Sequence, residues 1–209
     1  MKFHPAKCEY ILFSRKKVKS QLPSYMLHQE LIPQVKAIRY LGVHIQDNLK
    51  WHTQIDMITT KSSTTFGFVK RTIPPQSSQL RIRAYKQLVR LVLEYAFCSW
   101  DLLPKTLSTR VKVVQRRSAW VVFKIPRVSR ESTTELLGKL DWAPLKERRS
   151  HRRMCLFRAM HFAEVNAPLS DFVVSNKKTD TRRHNLQYRI DRYKTEGHMS
   201  TFFICTSKY

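Results

Sequence analysis

The side chains of this sequence that can do chemistry are carboxylates, imidazoles, thiols and a large excess of guanidinium and ammonium groups. Nucleotidyl transfer by two metals needs carboxylates converging on ions about 4 Å apart, and usually draws on an adjacent or near-adjacent acidic pair. None of the 15 acidic residues is next to another or two positions from another, so spacing offers no such pair. His151, Cys155 and His161 fall on one predicted helix, with the first two a turn apart. His161 lies almost three turns from His151, too far to join it on one tetrahedral zinc. His184, His198 and Cys205 fail the spacing of a zinc knuckle, and Cys8, Cys98, Cys155 and Cys205 form no Cys-x-x-Cys pair. They read as reduced thiols of an intracellular protein. With only four glycines there is no phosphate-cradling loop. No metal or cofactor is expected in this chain.

Positive charge is what the sequence has in excess. Its 39 Lys and Arg against 15 Asp and Glu give a net charge of +24, which repels itself unless an anion neutralises it. Residues 51–130 are the most lopsided, with 15 basic side chains against 3 acidic ones. The anion is not expected to be a membrane. The N-terminus has no apolar run for secretion, and the most apolar stretch, residues 88–100, is too short to span a bilayer and contains Arg90 and Glu94. That leaves nucleic acid as the expected partner, in the cytoplasm or nucleus.

The elements that would position these cations follow from hydrophobic period. Residues 8–13 are β-prone, 14–20 a basic turn, and 25–35 a hairpin around His28-Gln29-Glu30. In Arg39-Tyr40-Leu41-Gly42-Val43-His44-Ile45 the alternation of Leu41, Val43 and Ile45 predicts one face of a strand. From Trp51 the period becomes helical through Ile55, Ile58, Thr59, Ser62, Phe66 and Val69, ending before Pro74-Pro75. Residues 79–100 predict a helix burying Ile82, Tyr85, Leu88, Val89, Val92 and Tyr95, with Arg81, Arg83, Lys86 and Arg90 opposite. Leu107, Val111, Val114 and Val121 predict another, with Arg110, Lys112, Arg116 and Arg117 on its wet side. Ser132-Thr133-Thr134-Glu135 has the form of a capping box for a short helix to Leu140. Pro144 suits the first turn of a last helix running to Phe162, which carries Arg148, Arg149, Arg152, Arg153 and Arg158. Residues 175–194 are polar and read as loop or tail.

Several blocks, in this order, resemble the reverse transcriptases of jockey-like non-LTR retrotransposons. His4-Pro5-Ala6-Lys7-Cys8 is similar to the Asn-Pro-x-Lys-Cys/Thr block that follows the polymerase's Tyr-x-Asp-Asp turn. Arg39-Tyr40-Leu41-Gly42-Val43 resembles the Lys-Tyr-Leu-Gly-Val motif whose hairpin grips the primer end. Ala84-Tyr85-Lys86, Leu93-Glu94-Tyr95-Ala96 and Trp100-Asp101 look like the long thumb helix, and Val114-Gln115-Arg116-Arg117 like the helix after it. Leu140-Asp141-Trp142, Leu145, Arg148 and Arg149 match the region beyond the thumb. The resemblance covers residues 1–162 and continues loosely to Phe202-Phe203. Where the family has Pro after the Arg of its long thumb helix, Leu91 follows Arg90 here.

The resemblance implies an α+β, mostly α chain. Residues 1–50 would be the end of the palm with a small antiparallel hairpin, 51–125 a helical thumb, 126–165 a basic helical extension and 166–209 a polar tail. The catalytic Asp pair of the family would lie before Met1, so the chain is expected to be truncated at both ends and not itself an enzyme; Mg2+ would belong to the complete RNA-directed DNA polymerase. Lys7 corresponds to a lysine linked there with protonation of the leaving pyrophosphate. The basic side chains expected on phosphates are Lys70, Arg71, Arg81, Arg83, Lys86, Arg110, Lys112, Arg116, Arg117, Arg148, Arg149, Arg152 and Arg153. Such contacts position a helix without reading bases, so RNA and DNA would bind with little sequence specificity. The rival expectations are a host-adopted helical binding protein without enzymatic activity, and a relic without function.

Overall fold

The computed structural model describes residues 3–13, 24–101, 103–123, 132–166 and Thr206. The basic turn expected at 14–20, the tail at 175–194, and His184, His198, Phe202, Phe203 and Cys205 lie outside them. The described chain is mostly helical with two small antiparallel strand pairs, as the α+β expectation required. It forms two compact units, Met1–Lys61 and Ser62–Tyr209. Among the described residues no helix is long and apolar enough to cross a membrane.

In the first unit, β1 (Met26–Leu27) and β2 (Glu30–Leu31) make the expected hairpin. Its turn residues His28 and Gln29 have φ of 49° and 66°, the left-handed pair whose twist matches that of the strands. β3 (Ala37–Tyr40) and β4 (Val43–Gln46) pair with Tyr40 opposite Val43. The single strand read from alternation over 39–45 is therefore wrong: the chain reverses at Leu41 and Gly42, at φ of 46° and 81°. Leu41 is 75% exposed, whereas Val43 is buried. A period-two count cannot see a reversal that keeps both flanks in register, and the glycine, which tolerates positive φ without a Cβ penalty, was its signal. The run at 8–13 contributes only one parallel bridge, Tyr10 to Gln34, after a 3₁₀ turn at Pro5–Lys7.

Two glutamines join this hairpin to the start of α1 (His52–Thr72). Gln54 Oε1 accepts from the His44 amide at 2.9 Å, and Gln46 Oε1 from the Thr53 amide at 3.4 Å, the latter serving one of the orphan donors of the first helical turn. Val43, Ile55 and Ile58 form the buried side of the unit.

In the second unit the apolar row of α1 continues through Ser62, Phe66 and Val69, all buried as the spacing predicted. Residues 79–100, by contrast, do not make one regular helix. α2 (Ser78–Ala84) passes into a π-helical turn, Tyr85–Val89, then α3 (Arg90–Glu94); Ala96, at φ 48°, breaks the chain before α4 (Phe97–Trp100). The wider i to i+5 turn rotates everything after it. The buried set becomes Arg81, Ala84, Tyr85, Val89, Leu93 and Glu94, while Leu88 and Tyr95, expected inside, are about half exposed. No proline is needed to disturb this helix.

α5 (Lys105–Phe123) buries Leu107, Val111, Val114, Gln115, Ser118, Ala119 and Val122. Val122 takes the inward position expected for Val121, which is half-buried. α6 (Thr133–Lys139) opens on the predicted capping box: the Thr134 amide donates to Ser132 Oγ, and the Ser132 amide to Glu135, each at 3.3 Å. α7 (Leu145–His161) begins one residue after the position expected, with Pro144 as its cap.

Candidate nucleic-acid interface

The family-like blocks of the second unit turn out to be one connected construction. At the end of α6, Asp141 takes φ 51° and donates its amide to the Gly138 carbonyl at 3.0 Å, while the Trp142 amide reaches the Leu137 carbonyl at 2.9 Å. This is a Schellman closure with an aspartate in the left-handed position usually given to glycine. It throws Trp142 back into the core, where its indole stacks on Tyr85 with ring centroids 3.9 Å apart. Burial pushes the Tyr85 phenol well above the usual tyrosine range, with Glu94 adding to and Arg90 opposing the effect. The Tyr85 hydroxyl and Trp142 Nε1 have no hydrogen-bond partner.

Pro144 supplies no side-chain cap to α7. Gln115, buried on α5, does so from a distance: its Oε1 accepts from the Leu145 amide at 3.2 Å and its Nε2 donates to the Ala143 carbonyl at 3.1 Å. The Gln of Val114-Gln115-Arg116-Arg117 is thus structural.

The arginines of α7 are structural too, against expectation. Arg148 and Arg152 are one turn apart and straddle Glu94; Arg149 and Arg153, likewise one turn apart, straddle Asp101. Arg152 meets Glu94 Oε2 at 3.1 Å, and Arg148 engages both carboxylate oxygens through Nε and its terminal nitrogen. Arg149 Nε reaches Asp101 Oδ1 at 2.7 Å and packs over Trp100, whose indole N–H donates to the Tyr95 carbonyl at 2.9 Å. The hydrogen bonds from Glu94 raise the Arg148 guanidinium's affinity for its proton, while burial, with Arg148 nearby, lowers that of Arg90. Four of the cations assigned to phosphates are therefore held by two carboxylates of their own chain. A lone acid in a buried apolar row and arginines paired at i, i+4 were the signals in sequence.

Arg81 is a further correction. It is 5% exposed, and its guanidinium donates to the carbonyls of Lys70, Ile73 and Val121 at 3.3, 2.7 and 3.1 Å. Those carbonyls end α1 and α5, where the helix dipoles concentrate negative charge. Arg81 is a shared cap for two helices and has no reach to a phosphate. Arg116 is half-buried, its guanidinium 5.0 Å from the centre of the Trp120 ring.

The other expected cations do lie at the surface. Lys70, Arg71, Arg83, Arg110, Lys112 and Arg117 are exposed and Lys86 is half-exposed. On α5, Arg110 and Arg117 are two turns apart on one flank, and Lys112 and Arg116 lie towards the other. Residues 57–93 and 102–130 contain no acidic side chain at all, so no carboxylate on these helices competes for the cations.

In the first unit Tyr40 and Leu41 are exposed at the tip of the β3–β4 hairpin, with Arg39 exposed and Val43 buried beneath. Lys7 is exposed at the end of the 3₁₀ turn. His151 and Cys155 approach to 3.8 Å, and among the described residues no three His, Cys, Asp or Glu side chains come within common reach of an ion. No family model, curated protein or solved structure significantly matches this chain, so its assignment rests on its own residues and their geometry.

Proposed function

We propose that this chain is the nucleic-acid-holding part of a reverse transcriptase of the non-LTR retrotransposon type, comprising the palm edge with its hairpin, the thumb and the segment beyond. It grips template and primer through exposed cations of α1, α2 with its π turn, and α5, and does not itself polymerise. The observation that carries this reading is the pair of acid-free stretches, 57–93 and 102–130, whose exposed side chains include Lys70, Arg71, Arg83, Lys86, Lys112 and Arg117. A surface kept only for solubility is served as well by mixed signs. The α7 arginines contribute to this grip indirectly, by holding α7 against Glu94 and Asp101.

Phosphate contacts release counterions, so log K falls against log salt with a slope of about 0.7 to 0.9 per phosphate neutralised. Binding of the whole chain to an RNA–DNA hybrid duplex, followed by fluorescence anisotropy over a salt series, should lose about 1.4 to 1.8 from that slope in Arg83→Gln/Lys86→Gln, and a similar amount in Lys112→Gln/Arg117→Gln. Arg148→Gln/Arg152→Gln should instead lower stability. Adding nucleotides and magnesium should extend no primer. Unchanged slopes in both surface pairs, with unchanged circular dichroism, refute the interface, and extension abolished by changing one named carboxylate refutes the non-catalytic reading.

A further inference from the structure

Where α1 ends, the 73–77 turn and the last turns of α5 enclose an open depression of about 550 Å³, within the volume range of ligand sites, about 300 to 1,000 Å³. Its lining combines Lys70 and Arg71 with Ile73, Pro74, Trp120 and Val121, and contains no carboxylate. Helix C-termini ordinarily repel anions. Here they do not present bare carbonyls, because Arg81, itself part of the lining, has taken those of Lys70, Ile73 and Val121. The local field is therefore positive where the fold alone would make it negative. Trp120 is half-exposed, is held by the Arg116 guanidinium, and has an indole N–H with no partner.

We infer that this depression binds one unpaired nucleotide of a nucleic-acid strand, its base packed against Trp120 and its phosphate on Lys70 and Arg71. The inference rests on the nucleic-acid reading above and narrows it to single strands and junctions. Cations alone would fit any phosphate. An aromatic ring inside a concavity adds a demand for a flat face, which a base in a duplex cannot meet because it is stacked between its neighbours. Stacking on an aromatic side chain tolerates any base, so the site confers preference for strandedness and not for sequence.

The test compares anisotropy binding of a blunt hybrid duplex with the same duplex carrying a short single-stranded overhang. The overhang should bind about tenfold more tightly, the effect of stacking one base on an aromatic side chain. Trp120→Leu should abolish that preference and leave blunt-duplex affinity within about twofold, while Trp120→Phe, which keeps a ring and most of the volume, should retain most of it. Tryptophan emission of the unsubstituted chain should be quenched by the overhang substrate and not by the blunt one, and this readout does not depend on any variant folding. Equal affinity for the two substrates, or a preference that survives in Trp120→Leu, overturns the inference while leaving the wider interface standing. Failure of both substrates to bind overturns the interface itself.

Discussion

Replacing Asp101 with Asn keeps the shape of the side chain and removes its charge from between two guanidinium groups. Asp101 is 7% exposed, and its partners Arg149 and Arg153 are 2% and 7% exposed. Neither arginine can turn to water, and Arg149 and Arg153 each already have a buried nitrogen without a partner, so no spare acceptor waits nearby. Removing one member of a buried ion pair costs about 3 to 5 kcal/mol, because the opposite charge stays buried and unpaired. Glu94→Gln is a matched control. Glu94 is as deeply buried, but Arg148 and Arg152 are 24% and 42% exposed and can swing into solvent, which reduces the cost to about 1 to 2 kcal/mol. Urea denaturation at pH 7, with unchanged dependence on denaturant, measures both. At about 2 to 4 °C per kcal/mol for a chain of this size, Asp101→Asn should melt about 10 °C lower and Glu94→Gln about 5 °C lower. Adding Arg153→Met to Asp101→Asn should recover part of the loss by removing one stranded charge. Equal losses for the two variants, or a loss below about 1 kcal/mol for Asp101→Asn, refute the claim that burial of the arginines sets the cost.

Tyr85→Phe should stabilise the protein by about 1 kcal/mol at pH 7, since it deletes a buried hydroxyl without a partner and keeps the ring on Trp142. Burial raises the folded phenol's pKa, so nothing is lost below the unfolded value of about 10, and stability declines as pH rises beyond it because only the unfolded phenol ionises. Urea midpoints at neutral and alkaline pH should show this decline for the native chain and less of it for Tyr85→Phe; parallel pH dependence refutes the assignment. Gly42→Val places a β-branched side chain at φ 81° and should weaken the β3–β4 hairpin by about 1 to 2 kcal/mol. Faster amide exchange in Ala37–Tyr40 and Val43–Gln46 checks it, and unchanged protection means that the turn does not need its glycine.

Much of the local structure was legible in the residues. The rows of α1 and α5, the capping box before α6 and the 25–35 hairpin each depend on neighbours a few positions apart, so period and cap chemistry suffice to place them. The π turn at Tyr85–Val89 was not legible, because no residue type there forbids an ordinary helix. Its one extra residue per turn is imposed by what the helix packs against, and it alone moved Leu88 and Tyr95 outward and Arg81 inward. The β3–β4 reversal was hidden because alternation continues on both sides of a two-residue turn.

By itself the sequence determined the sign and size of the charge, the spacing that leaves no acidic residue beside another, and the acid-free stretches that make α1, α2 and α5 basic. Which of those cations remain available was decided only by tertiary structure. A helical pattern tells each side chain's angle relative to its own apolar row, but not what another element places opposite it. The carboxylates that claim the α7 arginines lie 48 to 54 residues away in the chain, and the Val121 carbonyl that Arg81 caps lies 40 residues away. Ion pairing and helix capping act through space over a few ångströms, so folding alone sorts the arginines that hold the protein together from those left to hold something else.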